Sequence, residues 1–220
     1  MIKAGAYDYE VLGEEIKLLP QKALYLPENE ILVVADVHFG KVGHFRKAGI
    51  AIPRSMEQED LAALSDLLQE YKPRTLIFLG DFFHSDMNND LHWFELWRQL
   101  FAGTKMILVR GNHDRFHDEV YLVNKFEVVD SLTVGPLVFL HEPVNEKYIH
   151  EEKKIIISGH IHPGITLTGK GRQKLSFPCF FFGKNQIVIP AFGKFTGKFC
   201  IDFKESDKIF GVSGNKIIEL

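Results

Sequence analysis

Short apolar runs recur between residues 31 and 157, and polar or glycine-containing segments separate them. Each run is rich in Ile, Val, Leu or Phe and ends in turn-forming residues, a pattern that is typical of buried strands. The runs that we predict as strands cover residues 31–35, 75–79, 106–109, 137–140 and 155–157.

Helical periodicity fills the two gaps between the first three runs. The first helix is predicted to begin after Ser55, a suitable N-cap with Gln58 as its capping-box partner, and to end before Pro73. Its predicted apolar face consists of Leu61, Leu64, Leu67 and Leu68. The second helix is predicted over residues 90–100, with an apolar stripe of Trp93, Leu96, Trp97 and Leu100. Alternating strands and helices predict a parallel, right-handed α/β unit.

Beyond Leu132, strand-like runs outnumber helical ones. We predict further strands over residues 177–182, 187–189, 198–203 and 216–220, with tight turns such as 183–185 between them. The whole pattern therefore predicts two sheets packed face to face and flanked by helices. No repeat, low-complexity tract or linker divides the sequence, and 220 residues suit one domain covering 1–220.

Composition and charge narrow the class of protein. The formal net charge of −3 provides no overall basic field for nucleic-acid binding, although a local basic patch beside a metal site is compatible with it. The two cysteines, Cys179 and Cys200, form no CxxC pair, so neither a zinc knuckle nor a disulfide framework is indicated. Residues 1–15 do not resemble a signal peptide, and the apolar runs are shorter than the roughly 20 residues that span a bilayer. We therefore expect a cytoplasmic protein.

Polar side chains follow five of the predicted strands at the point where each strand ends. Ligands of open α/β folds gather at this edge of the sheet. Residues i and i+2 of an extended chain point to the same side, so neighbouring members of this set can converge on one ion. The residues are Asp36 and His38, Asp81, Asn112, His141, and His160 with His162.

This set of side chains predicts a metal site. Mixed oxygen and nitrogen ligands suit Mn²⁺, Fe²⁺ or Zn²⁺ better than Ca²⁺. Seven ligands are too many for one tetrahedral ion and suit two ions that share a bridge. We therefore expect two divalent cations, with Mn²⁺ as the leading candidate. Two carboxylates against two such cations leave a net positive charge, which attracts a phosphate.

At these positions the sequence resembles the calcineurin-like metallophosphoesterases. Their motifs are D-x-H, G-D-x-x-(D/H), G-N-H-(D/E), a lone H and G-H-x-H, and all five occur here in that order, at residues 36–38, 80–84, 111–114, 141 and 159–162. The resemblance implies an α/β fold, a four-layer αββα sandwich with two central mixed β-sheets. It also implies a hydrolase that acts on phosphoesters.

The resemblance further assigns roles to individual residues. It implies a first metal held by Asp36, His38 and His162. It implies a second metal held by Asn112, His141 and His160, with Asp81 as the bridge. His113 would act as general acid or as a phosphate contact, oriented by Asp114, and His84 would contact the substrate or simply hydrogen-bond the site.

A narrower resemblance is to the bacterial DNA ligase-associated metallophosphoesterases. It rests on residues 36–41, 45–53 and 80–85 and on the late segment Pro190-Ala-Phe-Gly193. It implies a link to a DNA ligase and a helicase-like protein in DNA repair. The block at residues 80–84 also resembles the nuclease subunit of double-strand-break repair complexes. Protein Ser/Thr phosphatases carry Asp-Arg-Gly after this block, whereas this sequence has Phe83-His84-Ser85.

The substrate predicted on this basis is a phosphodiester of a nucleic acid or nucleotide. One alternative is a small-molecule phosphomonoesterase or nucleotide-sugar pyrophosphatase, and another is a non-catalytic subunit of a repair complex. Lys41, Arg46 and Lys47 lie in a predicted loop after the first ligand pair. They would hold flanking phosphates if the substrate is a nucleic acid, or simply form a solvated charged loop.

Overall fold

The computed structural model of the chain describes residues 5–47, 49, 58–83, 90–114, 118–145, 153–169, 171 and 173–220. Two mixed β-sheets, one of seven strands and one of nine, make up most of this part. The predicted α/β fold with two packed sheets is confirmed. No helix among the described residues is long and apolar enough to cross a membrane.

The first sheet has its strands in sequence order. Its first three pairings are antiparallel, and the last three are parallel, as the alternation of strands and helices predicts. The strands are β1 (Tyr7–Val11), β2 (Glu14–Leu19), β3 (Ala23–Leu26), β4 (Ile31–Ala35), β5 (Thr75–Leu79), β6 (Lys105–Val109) and β7 (Phe126–Val129).

The second sheet contains the remaining strands. They are β8 (Leu132–Val134), β9 (Leu137–Phe139), β10 (Ile155–Ser158), β11 (Pro163–Thr168), β12 (Lys174–Phe182), β13 (Gln186–Val188), β14 (Phe199–Cys200), β15 (Lys208–Ser213) and β16 (Lys216–Glu219). The order is β14-β11-β12-β13-β10-β9-β8, and the β15–β16 hairpin pairs with β12. The strand predicted over residues 198–203 is limited to the two residues of β14.

The helices are α1 (Lys41–Lys47), α2 (Glu59–Tyr71), α3 (Asp90–Leu100) and α4 (Asp118–Val123). The last three pack on the outer face of the first sheet, where α2 buries all four predicted leucines. This helix ends at Tyr71, and the N–H of the next residue, Lys72, donates to the Leu68 carbonyl just before Pro73. The predicted cap Ser55 lies outside the described residues.

The predicted apolar stripe of α3 is largely wrong. Trp93 is 53% exposed and Leu100 is 79% exposed, whereas Phe94 and Trp97 are buried against the sheet. The helix carries apolar residues on two adjacent stripes, and docking on the sheet buries only one of them. Periodicity alone could not identify which stripe that is.

The main core lies between the two sheets. Alternate residues of β4, β5 and β6 meet side chains from β9, β10, β12 and β13 there. A smaller cluster covers the outer face of the second sheet, where Ile165, Cys179 and Ile209 pack with a loop residue, Ile201. Within the described residues no helix packs on that face, so the fourth layer of the expected sandwich is not seen in this part of the chain.

Candidate metal centre

The loops that follow β4, β5 and β6 meet those that follow β9 and β10 at one end of the two sheets. Backbone hydrogen bonds join them. His38 N–H donates to the Asp81 carbonyl at 2.9 Å, and Gly159 N–H donates to the His141 carbonyl at 3.0 Å. His160 N–H donates to Asp36 Oδ2 at 2.8 Å, which ties the second sheet to the first. The loops are therefore fixed before any ligand binds.

One group of possible metal ligands contains Asp36, His38 and His162, whose ligand atoms lie within 4.8 Å of one another. The carboxylate of Asp36 is fully buried, and its Oδ1 lies 3.6 Å from His162 Nε2. Within the described residues this oxygen accepts no hydrogen bond. A buried carboxylate oxygen without a donor is costly, and a bound cation would satisfy it.

A second group contains Asp81, His141 and His160. His141 Nδ1 lies 2.9 Å from the Leu79 carbonyl, which can only accept, so Nδ1 carries the proton. In the neutral ring, Nε2 then presents a lone pair, and it faces Asn112 Oδ1 at 3.0 Å and His160 Nδ1 at 3.1 Å. The Asn112 oxygen can only accept, so it and the His141 lone pair face one another, an arrangement that a bound cation would satisfy.

Asp81 lies between the two groups. Its Oδ1 is 3.5 Å from His141 Nε2, and its Oδ2 is 3.9 Å from His38 Nε2. The side chain is buried, so its two oxygens face the two groups and not bulk solvent. One carboxylate therefore reaches both candidate cation positions.

The backbone of the ligands is unusual. Five of the predicted ligands have φ between 49° and 69°, the left-handed region that side-chain-bearing residues rarely adopt. They are Asp36, His38, Asp81, His160 and His162. The predicted reason for their convergence, alternation along an extended chain, is therefore wrong. Left-handed turns beyond the strand ends bring each pair together, and such strain clusters at functional sites.

Gly80 leaves room for the second group. Its φ is +69°, and a Cβ at this position would lie 2.2 Å from His141 Nδ1. Such a contact is impossible without moving the imidazole. Gly80 therefore allows His141 to approach the end of β5.

Asp114 and His113 follow Asn112 on the loop after β6. The buried Asp114 carboxylate accepts hydrogen bonds from the N–H groups of Gly111, Asp81 and Phe82 at 2.8–3.0 Å. Burial raises its pKa, and these hydrogen bonds oppose that shift. His113 is exposed, and its N–H donates to Asp81 Oδ1 at 2.9 Å. Asp114 thus fixes the loops that carry Asp81 and His113.

The basic segment after the first ligand pair is the short helix α1, not the predicted loop. Lys41 begins it and is half-buried. Burial lowers the pKa of its ammonium, and the nearby carboxylates of Asp36 and Asp81 oppose that shift. The side chains of Arg46 and Lys47, and the whole of His84, lie outside the described residues.

A loop over residues 191–198 also reaches the site and was not predicted. Phe192 N–H donates to the Ala35 carbonyl at 2.8 Å, and Gly193 N–H donates to the Asp36 carbonyl at 3.2 Å. The segment Pro190-Ala-Phe-Gly193 belongs to the sequence resemblance. That resemblance could have indicated that this loop reaches the site.

Comparisons with known proteins agree with this fold. The sequence profile of the Calcineurin-like phosphoesterase family matches residues 30–149. The chain is similar to the nuclease MPE of Pseudomonas putida, with 31% identity, a TM-score of 0.81 and coverage of 98% of this chain and 100% of that one. YfcE, a phosphoesterase from E. coli, gives 10% identity, a TM-score of 0.44 and coverage of 86% and 97%, too distant to support an argument. Comparison with curated proteins found no match.

Proposed function

The chain belongs to the calcineurin-like phosphoesterases, metal-dependent hydrolases of phosphoester bonds, and from that premise we propose that it hydrolyses phosphodiester bonds of nucleic acids at a binuclear centre. The observation that carries this proposal is the position of Asp81 between two groups of metal-ligand side chains. A nuclease with 31% identity over nearly the whole chain supports the choice of a nucleic-acid substrate.

In this proposal Asp36, His38 and His162 hold the first cation. Asn112, His141 and His160 hold the second, and Asp81 bridges them. Two cations held by these residues would supply a nucleophilic water near neutral pH and would neutralise charge on the phosphoryl oxygens. Mixed nitrogen and oxygen donors suit Mn²⁺, Fe²⁺ or Zn²⁺, and Mn²⁺ is the ion that we propose first.

His113 is the proposed general acid. Hydrolysis adds water across a P–O bond, and the departing oxygen must receive a proton. His113 is exposed at the rim of the site, and its ring centroid is 5.8 Å from that of His38. Histidine is suited to proton transfer near neutral pH. Asp114 is the positioning residue, because it fixes the loops that carry His113 and Asp81.

Lys41 is the proposed phosphate contact. The carboxylates of Asp36 and Asp81 act on the pKa of its ammonium, which supports a position of this charge near a member of each ligand group. It would bind a non-bridging phosphoryl oxygen. The parts of Arg46, Lys47 and His84 in substrate binding remain predictions, as do the DNA-repair role, the ligase and helicase partners and the cytoplasmic location.

The test uses purified protein with added Mn²⁺. We expect cleavage of single-stranded or duplex DNA and of bis(p-nitrophenyl) phosphate, and loss of both activities with EDTA. Turnover of nucleotide or sugar phosphates without any cleavage of DNA or RNA would contradict the nucleic-acid proposal. Bound metal without turnover of any ester would support a non-catalytic subunit instead.

A further inference from the structure

The 191–198 loop is attached directly to the first ligand pair. The N–H groups of Phe192 and Gly193 donate to backbone carbonyls at Ala35 and Asp36. A Cβ on Gly193 would lie 2.4 Å from the Val37 carbonyl oxygen, so only glycine allows this approach. The position of the loop is therefore set by the same backbone that presents Asp36.

Lys22 also holds the loop. This residue follows β2, and its Nζ donates to the carbonyl oxygens of Phe192 and Gly193. Burial lowers the pKa of Lys22 to about 8; the carboxylate of Asp60 opposes this shift, and the positive charges of Lys194 and Lys198 contribute to it. Three lysines and the carboxylate of Asp60 therefore lie close together beside this loop.

These lysines surround a cavity of about 120 Å³ that also touches His162. The cavity has the liquid volume of roughly four water molecules, which suits a phosphate group. Lys194 is engaged, because it forms an ion pair with Glu59. Lys198 is exposed, its Nζ donates to the Ser176 carbonyl at 3.0 Å, and among the described residues it has no carboxylate partner.

Backbone donors are present at the same place. Gly197 and Lys198 both line the cavity, and within the described part of the chain their N–H groups donate no hydrogen bond. Thr196 Oγ1 donates to the Gly193 carbonyl at 2.7 Å and so stabilises the turn that carries them. An ammonium and nearby unused amides are the donors that bind phosphate oxygens in proteins.

We propose that this cavity is a second phosphate subsite, in which Lys198 binds the phosphate next to the scissile one on a nucleic-acid strand. The inference rests on the proposed function and adds to it that the substrate has at least two neighbouring phosphates. The first ligand group and the cavity share His162, so adjacent phosphates of one strand can occupy the two places.

The test compares three short substrates in the presence of Mn²⁺. TpT has only the scissile phosphate, whereas pTpT and TpTp carry one more at the 5′ or the 3′ end. For the unaltered protein we expect cleavage of the internal bond of one phosphorylated form with a kcat/KM about tenfold above that of TpT, as for a hydrogen bond to a charged group. Lys198→Gln should reduce this ratio to about one, and Lys198→Arg should keep it.

Lys174→Gln is the matched control, because Lys174 is an exposed lysine of β12 that does not line the cavity. It should keep the full ratio. A second readout needs no turnover: in EDTA, the binding of an oligothymidylate is followed by fluorescence anisotropy at several salt concentrations. The logarithm of the association constant falls as the logarithm of the salt concentration rises. Lys198→Gln should make this negative slope shallower by about 0.7, the value for one phosphate of a single strand.

The outcomes separate the two proposals. If TpT is cleaved but the added phosphate gives no advantage, or the advantage survives Lys198→Gln, the subsite is wrong and the proposed function stands. If the protein hydrolyses p-nitrophenyl esters but cleaves none of the three nucleotides and neither DNA nor RNA, the proposed function is wrong and the subsite falls with it.

Discussion

At the scale of single residues, the site depends on which polar atoms are already engaged. The Leu79 carbonyl fixes the proton of His141 on Nδ1, so that Nε2 presents its lone pair toward the second group. In the first group, Asp36 Oδ1 is buried and accepts no hydrogen bond from the described residues. Both arrangements are unfavourable in an empty protein and favourable around a cation.

Asp81→Asn tests the bridge. The amide keeps the shape but loses the charge that two cations would share, so we expect weaker binding at both positions and no turnover. Metal content after Mn²⁺ loading, measured by mass spectrometry, should fall from about two ions per chain, as in two-metal sites. The exposed Asp66→Asn serves as control and should keep both ions. Full retention of one ion by the Asp81 variant would show that Asp81 is not shared.

His113→Ala separates proton donation from phosphate binding. Its metal content should stay unchanged, because His113 belongs to neither ligand group. For an alkyl phosphodiester, kcat should fall by about 10²–10⁴, the usual contribution of general acid catalysis. The loss should be much smaller for p-nitrophenyl esters, whose leaving group scarcely needs a proton. Equal losses for both substrates would indicate that His113 contacts the phosphate instead.

The two cysteines should differ in reactivity. Burial raises the pKa of the Cys179 thiol to about 12, so almost none of it is thiolate at pH 8, whereas Cys200 is exposed. Titration of the native protein with a disulfide reagent should therefore give one fast thiol per chain, and unfolding should release the second. Cys200→Ser should remove the fast phase, and a fast phase that survives this change would contradict the assignment.

At the scale of elements, the strand ends were more predictable than the helices. Uninterrupted apolar runs identify β4, β5 and β6 because both faces of each strand are covered. The polar tips that follow them could then be recognised as ligands. Helix α1 could not be predicted from the sequence, because Val42 and Gly43 are weak helix formers and its first turn has no acidic residue. The left-handed turns at the ligands are equally invisible in the sequence, since Asp and His do not require them.

The orientation of α3 gives a prediction at this scale. Phe94→Ala should lower the free energy of unfolding by about 3–5 kcal/mol, because it removes a fully buried ring from the core. Leu100→Ala should change it by less than about 0.5 kcal/mol, because that side chain is largely exposed. Urea denaturation measures both values. A large loss of unfolding free energy for Leu100→Ala would show that the apolar face predicted from periodicity is the buried one.

At the scale of the whole molecule, each ligand group takes side chains from both sheets. Asp36 and His38 follow a strand of the first sheet, whereas His162 follows one of the second. In the other group, Asp81 comes from the first sheet, and His141 and His160 come from the second. Cations bound to these groups would therefore cross-link the two halves of the sandwich.

Metal should accordingly stabilise the entire fold. At a concentration 100-fold above its dissociation constant, one bound ion adds about 2.7 kcal/mol to the free energy of unfolding. For a chain of this size that corresponds to an increase in Tm of about 5–10 °C. Calorimetry with Mn²⁺ and with EDTA measures the difference, and Asp81→Asn should show a smaller one. An unchanged Tm would contradict a cross-link between the sheets.

The division of the ligands also determines when activity can begin during synthesis. A ribosome that has made the first sheet has produced Asp36, His38 and Asp81 but none of the imidazoles that complete either group. The emerging polypeptide should therefore lack the proposed activity until residue 162 has left the exit tunnel and the second sheet has docked. A truncated product that stops short of β10 should likewise lack the proposed activity, because it would lack His160 and His162 altogether.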